Sequence, residues 1–410
     1  MGVKLPVYMD NHATTRVDPR VLDAILPYFG VNASSENSSK SSAESGVARA
    51  RAQVAQLVNS TEPEILFTSG ATESNNLAIK GIAGFYQNKG NHIITQVTEH
   101  SAVLDACRRL QHDGYDLTYL PVDKDGLINV NELRGAITAT TILITIMYAN
   151  NEIGVVQPIA EIGKIAKDAG VYFHVDGVQA VGKIPVDVEK DGIDLLSISA
   201  HKIYGPKGVG ALYVRHRNPQ VKLLPMIHGG GQELGIRGGT LIVPGIVGLG
   251  KACDICRLEM STESARLREL RDLLKYGIMK RLDKTFVNGS MSHRLPHNLN
   301  ISFALDGQGL RIGIKGVAVS SGSACASQEN APSHVLKAIG VTDNLARTTL
   351  RFGLGRFNTV EEVEYVTRRV VDTIERLRDF SPLYGILPWR TVATGIGRLL
   401  RCVESTIRRR

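Results

Sequence analysis

The chain is poor in aromatic side chains: Phe, Tyr and Trp make up 5% of 410 residues, with a single Trp. Single-stranded nucleic acids are held largely by stacking bases on such rings, so specific nucleic-acid binding is not expected. Long apolar runs are missing as well. No stretch approaches the ~18 uninterrupted apolar residues of a membrane-spanning helix, and no membrane span is expected. The first residues, MGVKLPVYMDNHATT, lack the apolar core of a secretory leader, which makes a cytoplasmic protein the expectation. Cysteines are few and odd in number: Cys107, Cys253, Cys256, Cys325 and Cys402. Such a set does not make a disulfide framework. The one CxxC, Cys253-Asp-Ile-Cys256, lies in a helical pattern with no second Cys/His pair after it, so a structural role and no metal are expected.

The net charge of +8 sits mostly in the tail, where Arg390, Arg398, Arg401 and Arg408 to Arg410 outnumber Glu404. The body is near balance, which leaves room only for loose electrostatic contact through the tail. From Glu64 to Lys190, short apolar segments alternate with helical ones: EILFTS, HIITQV, DLTYLPV, TILITIMY and VYFHVD are the apolar members. Such βα alternation predicts an α/β fold with a mostly parallel sheet flanked by helices. Before it, Pro19 to Tyr28 reads as a helix, Asn32 to Ser45 as a Ser-rich loop, and Val47–Val58 as an amphipathic helix. ALYVR adds a strand after Gly210. A polar-faced helix over about Glu263 to Leu282 then leads into a smaller α+β domain. That domain carries NLNISF, a Gly/Ser-rich loop at Ser320–Ser323, TTLRFGLG and a helix at Val360–Leu377. The expected division is a large domain over 16–257, a small domain from 1–15 and 258–385, and a divergent basic tail over 386–410.

Chemistry gathers at predicted strand ends, where ligands of open parallel sheets bind. Asp176 ends the apolar segment Val171–Val175, and Lys202 follows Ile193–Ile198. A lysine for a Schiff base and a carboxylate to hold a pyridine nitrogen protonated are the two groups that pyridoxal phosphate (PLP) requires. The run Thr68-Ser69-Gly70-Ala71-Thr72-Glu73-Ser74 follows a strand and opens a helix. Its small residues and free N–H groups suit a phosphate, with the Thr72 hydroxyl as an extra donor; an ordinary helix cap is the bland alternative. His100 ends HIITQV, where an imidazole could stack on a planar cofactor or carry protons. Asn151 closes TILITIMY, placed to position a substrate or a ring oxygen. In the second domain, Cys325 lies in SSGSACASQENAPSH without apolar neighbours to pack on, which favours an accessible thiol. Arg351 and Arg356 are candidates for gripping a carboxylate, with surface salt bridges as the alternative.

Together these residues resemble cysteine desulfurases of the NifS/IscS type, which are class-V, fold-type-I PLP enzymes. The resemblance spans about residues 5–385 and rests on nine ordered motifs. They are YMDNHATTRVDPRVL, FTSGATESNNLAIKG, TEHSAVLD, NNEIGVVQPIAEIG, HVDGVQAVGK, SAHKIYGPKGVGALYVR, GGGQELGIRGGT, SSGSACAS and LRFGLGRF. It implies that Lys202 links to PLP, Asp176 pairs with the ring nitrogen, Gln179 bonds the ring hydroxyl and His100 stacks on the ring and assists proton transfer. Thr72, Ser199 and His201 would hold the phosphate, with Thr240 supplied by the other subunit of a homodimer, and Ala71 would also contact the cofactor. Asn151 and Arg351 would grip the carboxylate of L-cysteine, and Cys325 would take its sulfur as a persulfide. A sulfur-acceptor protein, such as an iron–sulfur scaffold, is the implied partner. A selenocysteine lyase or another class-V lyase, and a degenerate regulatory or scaffolding subunit, are the alternatives. The chain departs from the family at the shortened Ser-rich segment 32–45, at Gly177, Leu234 and Ala331, at QGLRIGIKG, and in the tail.

Overall fold

The computed structural model describes residues 3–30, 38–305, 314–321 and 332–379, with only the backbone described for 38–42. The larger sheet has seven strands: β2 (Ile65–Thr68), β3 (His92–Gln96), β4 (Asp116–Leu120), β5 (Thr141–Thr145), β6 (Tyr172–Asp176), β7 (Leu195–Ser199) and β8 (Gly210–Val214). Their spatial order is β2-β8-β7-β6-β5-β3-β4. Only β8 runs against its neighbours; the remaining pairs are parallel. Because β8 reverses between β2 and β7, those two strands point the same way. The carboxyl ends of six strands therefore share one edge, where the chemistry-bearing residues were expected.

Every residue of β3, β5, β7 and β8 is buried, as expected of strands covered on both faces. Alternation divides their side chains. Phe67, Ile144, Phe173 and Leu196 pack with α2 (Ser38–Val58), α6 (Ile159–Asp168) and the first half of α7 (Val243–Met279). Leu66, Ile93, Leu143 and Leu212 pack on the other side with α3 (Ala71–Phe85) and α4 (Ser101–His112). Shorter helices α1 (Pro19–Ile25) and α5 (Val130–Ala136) complete this layer structure.

A second core surrounds a four-stranded antiparallel sheet in the order β12-β13-β10-β9. Its strands are β9 (Thr285–Val287), β10 (Asn298–Phe303), β12 (Ser320–Ser321) and β13 (Thr349–Gly353). Against it pack α10 (Val360–Asp379) and the second half of α7, through Leu267, Leu270, Leu274 and Ile278. Nearby, β1 (Val7–Tyr8) pairs in parallel with β11 (Val317–Ala318), while α8 (His334–Ala338) and α9 (Asp343–Arg347) precede β13. Among the described residues, no helix is long and apolar enough to cross a membrane.

Three expectations are corrected. The segment 32–45 is not loop throughout, because α2 begins at Ser38; the low apolar content of its first turns hid the helix. The helix expected over 263–282 is the second half of the 37-residue α7. Its buried stripe changes partner midway, from the large-sheet core at Cys253 and Cys256 to the small-sheet core at Leu267. The Gly/Ser loop at 320–323 begins as strand, Ser320 and Ser321 pairing with Arg351 and Leu350.

Candidate active site

The strand β2 hands over to α3 through Gly70, whose φ of 148° lies in a region favourable only to glycine. The unpaired N–H groups of the first turn of α3 consequently open at the carboxyl edge of the sheet. Thr68 is tied to Ser74 by a 2.8 Å hydroxyl–hydroxyl bond, which braces the turn. Asp176 is the last residue of β6 and only 6% exposed. One carboxylate oxygen accepts from Asn75 Nδ2 at 2.8 Å, and the other from the Val178 N–H at 3.1 Å. Lys202 closes a single helical turn after β7. Its ammonium donates to the carbonyls of His12 and Ala13, the latter at 2.8 Å.

These elements enclose a cleft of about 600 Å³. Ala71, Thr72, Ser199, His201 and Lys202 line it together with His100, Asn151, Asp176, Gln179 and Arg351. The volume suits a small cofactor together with a small substrate. Thr240 is exposed and is not among the lining residues. Cys325 lies outside the described residues. Arg356 is corrected from its sequence reading: largely shielded from solvent, it pairs with Asp18 and Glu263, each at 2.7 Å, and serves as an internal ion-pair hub.

The electrostatics are ordered by burial. His100 caps α4, its Nδ1 accepting from the Ala102 N–H at 3.1 Å. Burial holds its pKa below the usual histidine value, against the pull of Asp176. The neutral ring therefore carries its proton on Nε2. His201 bonds Thr14 through Nδ1 at 3.1 Å, and burial, then Lys202 and Lys207, lower its pKa to about 4. Arg351 is 4% exposed; its Nη2 donates to Asp10 at 2.8 Å and to Ser320 at 2.9 Å, and its Nη1 to the Asn151 carbonyl at 3.0 Å. Its buried Nε has no partner among the described residues.

Sequence reasoning missed several members of this site. Asn75 holds Asp176, Asp10 holds Arg351, and His12 lies between Lys202 and Gln179. Glu99, beside His100, is fully buried; burial and the Asp176 charge push its carboxyl well above the usual range. All four sit inside the quoted motifs DNHATT, TESNN and TEH, which were the available signal. Gly177, by contrast, is explained by space. A β-carbon there would lie 2.5 Å from Leu196 Cδ1, inside the packed core.

The donor set fits PLP: open helix N–H groups with hydroxyls and His201 for a phosphate, a buried carboxylate for a ring nitrogen, and the Lys202 amine. This combination defines a fold-type-I PLP site. The aminotransferase class-V family matches residues 7–366. The chain is 54% identical over 387 residues to a cysteine desulfurase IscS of Anaeromyxobacter sp. (strain K), covering 93% of this chain and 96% of that one. It is 52% identical over 391 residues to a cysteine desulfurase IscS of Rickettsia africae (strain ESF-5), covering 94% and 95%. Among solved structures, a NifS-like protein superposes with a TM-score of 0.84 at 37% identity, covering 90% of this chain and all of the other. SspA in complex with cysteine does so with a TM-score of 0.76 at 39% identity, covering 86% and 100%. The chain belongs to the class-V aminotransferase family and, within it, to the cysteine desulfurases of the NifS/IscS type.

Proposed function

We propose that this enzyme removes sulfur from L-cysteine and holds it on Cys325 as a persulfide, releasing L-alanine. The observation carrying the proposal is the convergence of Lys202, Asp176, His100 and Arg351 on one cleft, and the described residues that flank the Cys325 segment in sequence bond to groups of that cleft or to their chain neighbours. On one side Ser320 donates to Asp10 at 2.7 Å and accepts from Arg351. On the other, Ser333 donates to Glu152 at 2.5 Å and His334 to the Glu99 carbonyl at 3.0 Å. In sequence, Cys325 follows Ser321 by four residues.

PLP, when bound, supplies an electron sink for bonds broken at and next to the substrate's α-carbon. Arg351 and Asn151 orient the substrate carboxylate. With its Nδ1 lone pair occupied, His100 acts as a donor at Nε2, so removal of the α-proton falls to the Lys202 amine. Asn75 and the Val178 N–H hold the Asp176 carboxylate, which would pair with the ring nitrogen. The Cys325 thiolate attacks the substrate sulfur; a sulfur–sulfur bond forms as the carbon–sulfur bond breaks. The electron pair returns to the substrate skeleton, which takes up protons and leaves as alanine.

We further assign the enzyme to a homodimer, supported by Thr240 lying exposed in the same stretch of sequence as the exposed apolar residues Met226, Ile227, Leu234 and Ile242. Delivery of the persulfide sulfur to an acceptor protein, such as an iron–sulfur scaffold, completes the proposal. Three buried free thiols, Cys107, Cys253 and Cys256, suit a reducing compartment such as the cytoplasm. The test is to incubate the PLP-loaded protein with L-cysteine and reductant and to measure alanine and sulfide. Wild type should form both, and Cys325→Ala neither; full activity in Cys325→Ala would overturn the persulfide step.

A further inference from the structure

Behind the cleft runs a buried chain of hydrogen bonds whose direction is set at its far end. Arg294 can only donate, and its Nη1 donates to Asn298 Oδ1 at 2.7 Å. The same Asn298 amide donates through Nδ2 to the Glu152 carbonyl at 3.1 Å, so its orientation is fixed twice. Nδ2 also meets His12 Nε2 at 3.0 Å, which must accept. The His12 proton is therefore on Nδ1, where it donates to Gln179 Oε1 at 2.9 Å. Gln179 Nε2 returns one hydrogen to the His12 carbonyl at 3.1 Å. Its second amide hydrogen is left for the cleft that Gln179 lines. All four side chains are at most 7% exposed.

We propose that His12 is a positioning residue that locks the Gln179 amide with nitrogen toward the cleft, so that it donates to the ring oxygen of PLP. The proposal rests on the functional reading above and adds to it the residue that decides which end of the amide is presented. With the polarity reversed, Gln179 would turn a carbonyl oxygen toward an anionic ring oxygen and repel it. The ring of His12 is stacked on His297 at 4.4 Å, and the Lys202 ammonium donates to its carbonyl. Burial above all, and then the charges of Arg351, Lys202 and Lys183, keep the imidazole neutral against the Gln179 bond, so the relay does not reverse by protonation. Sequence inspection passes over His12 because its partners lie 167 and 286 residues away along the chain.

The test has two readouts besides turnover. Nitrogen-15 NMR of the cofactor-free protein should show His12 as the Nδ1–H tautomer; an Nε2–H tautomer would overturn the proposal. In the PLP-loaded protein, the pH midpoint of the cofactor's visible absorption should rise in His12→Leu by roughly half a unit or more. A donor fixed on the ring oxygen stabilises its anion most when no neighbouring proton is shared with it, so losing that donor raises the midpoint. His12→Asn restores an N–H near the Nδ1 position and should keep the wild-type midpoint. In a Gln179→Leu background, His12→Leu should add no further shift. An unchanged midpoint in His12→Leu, an equal shift in His12→Asn, or full additivity with Gln179→Leu would each reject the relay. Failure to take up PLP at all would overturn the functional reading, and this proposal with it.

Discussion

Arg351 is held from three directions, by Asp10, Ser320 and the Asn151 carbonyl, yet its buried Nε hydrogen has no partner among the described residues. A substrate carboxylate entering the cleft would satisfy that donor. Arg351→Lys keeps the charge near Asp10 but removes Nε and the planar fork. One hydrogen bond between charged partners is worth about 1.5–3 kcal/mol. At about 1.4 kcal/mol per tenfold, KM for L-cysteine should rise roughly 10- to 150-fold. The carboxylate does not react, so the loss should appear mainly in KM, with kcat changed much less. Asp10 keeps its bond from Ser320 Oγ at 2.7 Å, so the folded state should lose less than about 2 kcal/mol. Initial rates of alanine formation against cysteine concentration, with a thermal melt as control, decide the matter. A KM within twofold of wild type, or a fall in kcat alone, would refute the assignment of Arg351 to the carboxylate.

Gly177→Ala should cost about 1–3 kcal/mol in denaturant unfolding, because its methyl meets the buried Leu196, and Leu196→Val should recover part of that loss. Equal stability of Gly177→Ala and wild type would mean the core yields freely at that point. Asn75→Ala removes the 2.8 Å bond that holds Asp176 and should weaken PLP binding about tenfold, read by equilibrium dialysis; unchanged binding would make Asn75 dispensable to the carboxylate. His174 is fully buried between Thr145 and Ser197, and burial lowers its pKa to about 3. An unfolded chain takes up this proton near pH 6.5 and the folded one does not, so the contribution is complete above that pH and is lost as pH falls toward 3. At pH 5 this amounts to about 2 kcal/mol, and a His174→Gln variant should lose less stability than wild type between pH 7 and 5.

The sheet was legible because its strands are short apolar runs, and the site because its polar residues stand directly at their ends. Asp176, Lys202, His100 and the Gly70–Thr72 turn needed only that periodicity to be placed on one edge. What stayed hidden depends on contacts far apart in sequence. The antiparallel β8 looks like any other buried strand, because periodicity carries no direction. Arg351 and Arg356 share one run of sequence, and only packing separates the arginine facing the cleft from the one paired with Asp18 and Glu263. The long α7 was read as two pieces because its apolar stripe changes partner midway. Gly177 departs from the residue usual in the family, and its reason is the volume of Leu196 on the neighbouring strand.

The central claim is that sulfur leaves L-cysteine onto this chain's own thiol. The direct measurement is mass spectrometry of the Cys325 peptide after the PLP-loaded enzyme meets one equivalent of L-cysteine without reductant. The account requires one extra sulfur atom on Cys325, alanine formed in equal amount, and no such adduct in Lys202→Ala. Alanine formed with Cys325 unmodified, or sulfur carried on Cys107, Cys253 or Cys256 instead, would contradict it.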